Sequence, residues 1–247
     1  MRRQSIRRAR WRSRCGAQKK DYYDERIMVM AVKRLVFIRP GETAWNRSGQ
    51  WQGWVAAPLS EHGRAQAEAL ARFVRHIQMA ALYTSDLKRA VETAEILAAH
   101  LDQPPIVDSR LRERNIGIWQ GLTFDEVRSW YPEEYAALLA SVNSYRIPNG
   151  ESRDDVRERM MAAYRDIMQA DPGETVGILT HTTASKVLLA ALVPGYDPIN
   201  EEIGNTSVTT IMRDDPAQDV WRLVAVNDVS HLEGLDSRYF PEMERLA

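Results

Sequence analysis

The chain has one cysteine, Cys15, among its 247 residues. An internal disulfide framework is therefore excluded, and the composition suits a reducing, cytoplasmic setting. No Cys/His cluster has the spacing of a zinc site, so neither a metal nor another cofactor is expected. No stretch approaches the ~18–20 apolar residues that a membrane span requires. Nor does an apolar run follow the N-terminal positive charges, which argues against a secretory signal. Internal repeats are absent, and no linker divides residues 31–236. What is present is 44% hydrophobic and 27% charged residues, an ordinary balance for a globular protein. The length fits one large α/β domain or two small ones.

The net charge of −1 hides an asymmetry. Residues 1–20 hold seven arginines and two lysines without an acid, a charge of +9, and the remainder carries −10. A basic leader over residues 1–30, too poor in apolar residues to build a core and expected to be disordered, thus precedes an acidic body. Clustered arginines suit nucleic-acid contact through residues 2–20. An Arg-rich, acid-poor segment also fits an organelle transit sequence, although it offers only Ser5 and Ser13. The third reading is an uninvolved tail before a domain that opens at Met28 or Met30. The lack of any periodic pattern favours this third reading, and the acidity of the body ranks nucleic-acid binding last. Residues 237–247 are expected to form a loosely attached C-terminal tail.

From residue 31 short β-rich runs alternate with longer helical ones. This pattern predicts an α/β fold, a three-layer α/β/α sandwich with a mainly parallel central sheet. Strands are expected over residues 34–38, 81–84, 106–108, 175–180, 207–212 and 221–226. Residues 60–77 place Leu70, Phe73, Val74 and Ile77 on one helical face. A helix capped by Asp86 is expected to run toward His100. Thr123 and Glu126 have capping-box spacing before a short helix that ends ahead of Pro132. Residues 145–151 read as a loop. The next helix, over 152–170, aligns Val156, Met160, Ala163, Tyr164 and Ile167, and another covers 184–193.

A phosphate monoester site needs positive donors around the dianion, an in-line nucleophile and an acid for the leaving oxygen. Such groups stand at strand ends, where open α/β sheets place ligands. Arg39 follows the first strand, Arg89 the second, and His181 the strand over 175–180. Glu113 lies in Leu111-Arg-Glu-Arg-Asn-Ile-Gly-Ile-Trp-Gln-Gly121. Plainer readings exist for each. Arg39 also reads as a strand-end charge, Arg89 as part of a solvated helix face beside Lys88 and Glu92, Glu113 as a partner of Arg112 and Arg114, and His181 as a structural histidine. His62, His76 and His100 read as surface residues and His231 as structural.

The segment Ile38-Arg-Pro-Gly-Glu-Thr-Ala-Trp-Asn46 resembles the Arg-His-Gly-Glu-Thr signature of the histidine phosphatase superfamily, the phosphoglycerate-mutase-like proteins. The segments around Arg89, Glu113 and His181 are similar to that family's motifs in the same order. So are Pro148-Asn-Gly-Glu-Ser152, Asn205-Thr-Ser-Val208 and Asn227-Asp-Val-Ser-His-Leu232. The resemblance covers residues 33–235. It implies that Arg39, Asn46, Arg89 and His181 bind phosphate, that Glu113 protonates the leaving group, and that position 40 holds the histidine that attacks phosphorus.

Position 40 is a proline, with no side-chain nucleophile and no backbone N–H. A binder of a small phosphorylated ligand, with hydrolysis weak or lost, is therefore expected. The alternative is an active phosphomonoesterase using His181 or a water activated by Glu113. Two further departures are Ala56-Ala57, where an acid is common, and Thr182, where glycine is common. The short segment over 121–150 favours a phosphatase over a mutase. Trp45, Trp51, Trp54, Trp119 and Trp130 are read either as an apolar substrate face or as packing residues. The natural ligand and oligomeric state are not legible in the sequence.

Overall fold

Arg34–Ile38 forms β1, in which Leu35, Val36, Phe37 and Ile38 are all buried. A strand apolar at successive positions needs cover on both faces of its sheet. The computed structural model, which describes residues 32–215 and 218–235, provides that cover. The expectations for the leader over 1–30 and the tail over 237–247 lie outside the described residues.

The remaining strands are β2 (Ala81–Thr84), β3 (Ile106–Val107), β4 (Thr175–Leu179), β5 (Val208–Met212) and β6 (Arg222–Asp228). They form one sheet in the order β3-β2-β4-β1-β5-β6. The β3-β2, β2-β4 and β4-β1 pairs are parallel, while β5 and β6 close the sheet antiparallel. In the central register Arg34 faces Thr175 and Ile38 faces Leu179. This aligns the carboxyl ends of β1 and β4, so the residues that follow, Arg39 and His181, emerge on the same side.

Among the described residues the α-helices are, in chain order, α1 (Ala44–Ser48), α2 (Glu61–Val74), α3 (Lys88–Leu101), α4 (Phe124–Trp130), α5 (Pro132–Ala140), α6 (Arg153–Ala170) and α7 (Thr182–Leu192). Leu35 and Phe37 pack with Val156 and Met160 of α6 and Leu188 of α7. Val36 and Ile38 belong to the opposite layer, with Leu70 of α2 and Leu97 of α3. The period-two alternation along β1 thus divides the core between two helical layers. Burying each leucine contributes about 1.5–3 kcal/mol. A third cluster, around Trp51, Trp119, Val127, Leu138 and Ile147, supports the loops above the sheet.

Helix starts follow local chemistry. The Ser60 side chain accepts from the Gly63 N–H at 2.9 Å, and Thr123 and Ser152 form full capping boxes with Glu126 and Asp155. The expected Asp86 cap is not formed. Leu87 occupies the cap position of α3 without a side-chain hydrogen bond, and the Asp86 carboxylate instead takes both nitrogens of an Arg112 fork at 2.6 and 2.7 Å. A bidentate ion pair outcompetes a single capping bond. Pro132 likewise ends one helix and opens another, because proline is well placed in a helix's first turn.

Candidate active site

The loop after β1 is set by backbone contact. A Cβ on Gly63 would lie 2.0 Å from the Glu42 carbonyl oxygen, and one on Gly41 would lie 2.5 Å from the Gly63 oxygen. Only glycine permits α2 to approach the Gly41-Glu42 backbone so closely. Glu42 itself is buried, accepting from Ser60 Oγ at 3.0 Å and pairing with Arg47 at 2.7 Å. It serves the loop, not the pocket. Asn46 Oδ1 accepts from the Thr43 N–H at 3.0 Å, which fixes α1 beside the pocket.

The structure brings Arg39, Pro40, Asn46, Arg89, Glu113 and His181 together around one pocket of about 610 Å³. Every residue singled out for the site is among its lining. Arg39 donates its Nη1 to the Ile203 carbonyl. Pro40 is buried, and its carbonyl accepts from Asn205 Nδ2 at 3.2 Å and Thr206 N at 3.3 Å. Arg89 is not on a solvated face: it is 5% exposed, with Nη2 on the Gly53 carbonyl at 3.0 Å and Nη1 on Val55 at 3.3 Å. Burial, opposed by Glu113 and reinforced by Arg39, draws its guanidinium down to about 10. It remains a cation at neutral pH.

His181 is the N-cap residue of α7, but its ring makes no capping bond. Its Nε2 is buried with no hydrogen-bond partner among the described residues. Burial first, then Arg89, Arg39 and Arg159, pushes the imidazole well below its ordinary value of 6.5. The ring is therefore neutral, with α7's positive N-terminal end behind it. His231 shifts downward too, chiefly through burial. Both histidines take up protons more readily in the unfolded chain, so the stability they contribute is complete above pH 6.5 and is lost as pH falls below it. For His181, whose shift is the larger, the slope approaches about 1.4 kcal/mol per pH unit. A His181→Gln variant should show a shallower fall in unfolding free energy between pH 6.5 and 5 by denaturant titration; an unchanged slope would contradict the neutral assignment.

Glu113 does not pair with its flanking arginines through their side chains. Its Oε1 accepts from the Arg114 N–H at 2.7 Å and its Oε2 from the Thr183 N–H at 3.2 Å. Arg112 turns to Asp86, and Arg114 is fully buried, donating to the Glu151 and Tyr145 carbonyls. The clamp under this segment is Arg159, which reaches the Arg110, Arg112 and Glu113 carbonyls at 2.7–2.8 Å and the Glu151 carboxylate at 2.9 and 3.0 Å. Gly117, at φ +48°, adds a steric requirement, since a Cβ there would sit 1.9 Å from the Pro148 carbonyl oxygen. Arg159 was not among the residues expected at the site. Its signal in the sequence is faint: it follows Glu151 of the Pro-Asn-Gly-Glu-Ser segment by eight residues, about two helical turns.

The tryptophans divide. Trp51 lines the pocket and meets Trp119 edge-on at 5.7 Å, while Trp119 is wholly buried. Trp54 carries Arg112 over its ring at 4.6 Å and donates Nε1 to the Glu113 carbonyl at 2.6 Å. Trp130 is exposed, and Trp45 is half-buried. His76 and His100 are exposed as expected, but His62 is half-buried and bonds the Leu235 carbonyl at 3.0 Å. Among the described residues no group of three His, Cys, Asp or Glu side chains is placed to hold a metal ion. No described helix is long and apolar enough to cross a membrane.

Residues 35–229 match the model of the histidine phosphatase superfamily (branch 1). The chain belongs to this superfamily. The metal-independent phosphoserine phosphatase of Arabidopsis thaliana is 34% identical over 208 residues, covering 83% of this chain and 85% of that protein. A mycobacterial glucosyl-3-phosphoglycerate phosphatase in complex with VO3 superposes with a TM-score of 0.71 at 33% identity, covering 79% and 99% of the two chains. A phosphoserine phosphatase from Entamoeba histolytica, crystallised with phosphoserine as a mutant in which one histidine is alanine, gives a TM-score of 0.71 at 25% identity and covers 81% and 99%. Phosphatases of this superfamily thus share the three-layer architecture of this chain.

Proposed function

We propose that this histidine phosphatase homologue binds small phosphate monoesters and hydrolyses them weakly or not at all, because Pro40 stands where the family's nucleophilic histidine is expected. The observation that carries this reading is that Pro40 lines the same pocket as Arg39, Arg89 and His181. Proline supplies no attacking atom and no N–H. Deleting a covalent nucleophile costs roughly 10⁶ in turnover, while about 10³–10⁴ over water survives through binding and electrostatics. The loss corresponds to about 8 kcal/mol of transition-state stabilisation. The cations, the helix terminus and the asparagine that suit a phosphate are all retained. A phosphoserine-bound relative with a histidine replaced by alanine supports ligand capture without a complete histidine set.

One observation favours a second reading, an active phosphomonoesterase. The unpartnered, neutral Nε2 of His181 is chemically able to attack phosphorus in place of the missing group. Activation of water by Glu113 is less well supported, since both carboxylate oxygens already accept backbone N–H groups.

Calorimetric titration with inorganic phosphate and with vanadate tests the binding claim. The parent protein is expected to bind both, and Arg89→Met is expected to weaken binding about 10- to 100-fold through loss of charge-assisted bonds. Absence of binding in the parent, or an affinity indifferent to Arg89→Met, would contradict it.

A further inference from the structure

The loop that carries Arg39 and Pro40 is pinned through its backbone. The Arg39 N–H donates to the Ser207 carbonyl at 3.3 Å, and the Pro40 carbonyl accepts from Asn205 and Thr206. The Glu42 N–H donates to Gln66 Oε1 at 3.0 Å, and the Glu42 carbonyl accepts from the Ser60 N–H at 2.8 Å. These partners belong to the segment before β5 and to α2 with its cap. The Gly41 N–H goes elsewhere, to Thr93 Oγ1 in α3 at 3.2 Å. The same hydroxyl donates to the Arg89 carbonyl at 2.8 Å, one helical turn back. A hydroxyl carries one proton and two lone pairs, so it can serve both at once. Thr93 is wholly buried, and bulk water does not reach either bond.

Each guanidinium of the pocket has its own anchor, Arg39 on the Ile203 carbonyl and Arg89 on the Gly53 and Val55 carbonyls. Those anchors fix each cation to a different loop and not to the other. The two charges also repel, and Arg39 contributes to the lowered value of Arg89. Their separation decides whether one phosphate dianion can meet both. We propose, on the reading that this pocket holds phosphate, that Thr93 is a positioning residue whose hydroxyl ties the Gly41 backbone to the Arg89 turn and so sets the spacing of the two cations. Thr93 is not among the residues that line the pocket, so it acts through Gly41 and Arg89 alone.

The test is calorimetric titration of the full chain with inorganic phosphate, well below the unfolding midpoint of each variant. Thr93→Val keeps the shape but strands the Gly41 N–H, and is expected to weaken phosphate about tenfold or more. Thr93→Ser keeps the hydroxyl and should stay within about threefold of the parent. Should valine crowd the site, Thr93→Ala against Thr93→Ser makes the same comparison, since the two differ by the hydroxyl alone. Ile167→Val removes one buried carbon from α6 in the opposite core layer, and should lower stability while leaving phosphate affinity within about twofold of the parent. A parent that binds no phosphate would sink the phosphate reading of the pocket, and the role of Thr93 with it. If the parent binds, equal affinity in Thr93→Val and Thr93→Ala would overturn the role of Thr93 alone. So would an equal loss in Thr93→Ser, which would assign the effect to the methyl group, or a matching loss in Ile167→Val, which would assign it to stability.

Discussion

A Pro40→His variant is expected to turn over a generic phosphomonoester about 10³-fold or more faster than the parent. The substitution places an imidazole in a pocket that already holds Arg39, Arg89, His181 and Glu113. Arg89 is a buried cation fixed by two backbone carbonyls, so its geometry is preorganised for an oxyanion. The hydrogen bonds of Pro40 run through its carbonyl, from Asn205 and Thr206, and a histidine can keep them. The backbone regains an N–H, and the restriction that a proline places on the residue before it, here Arg39, is lifted. Steady-state assays of the two proteins side by side measure the gain. An increase below about tenfold would mean that the nucleophile is not the missing part.

The second large effect concerns stability. Arg159→Met is expected to lower the unfolding free energy by about 3 kcal/mol, because it removes the cation paired with the Glu151 carboxylate and takes its donor from the Arg110 and Arg112 carbonyls, while the Glu113 carbonyl keeps only Trp54. For a domain of this size the midpoint of thermal unfolding should fall by about 6–12 °C. Arg159→Lys should recover only part of this, since an ammonium cannot reproduce a planar fork that serves several oxygens at once. A thermal scan that places Arg159→Met within about 1 °C of the parent would contradict the clamp.

Much of this architecture was legible in the sequence for identifiable reasons. The residues of β1 are apolar at consecutive positions, and the spacing of Val156, Met160, Ala163, Tyr164 and Ile167 allows one buried face; all five are buried in α6. The capping box of Thr123 and Glu126 is a local signal, and it formed. Asp86 failed as a cap because its competitor, Arg112, is distant in sequence and invisible to local reading. Arg89 and Glu113 were singled out by their motifs and line one pocket, but their contacts were not legible, because these depend on carbonyls of the 53–55 loop and on the N-terminus of α7. Arg159 and Thr93 were missed for the same reason. Their partners come together only when the helices pack.

The most direct measurement is to incubate the unaltered protein with a phosphomonoester carrying radiolabelled phosphate, quench in alkali, and look for acid-labile phosphohistidine by peptide mapping. Pro40→His serves as the positive control and should be labelled at residue 40. The expected result for the parent is phosphate binding without any covalent label. Phosphohistidine on the parent, above all at His181, would show that the protein has kept a phosphoryl acceptor and would contradict the claim that Pro40 leaves the pocket without one.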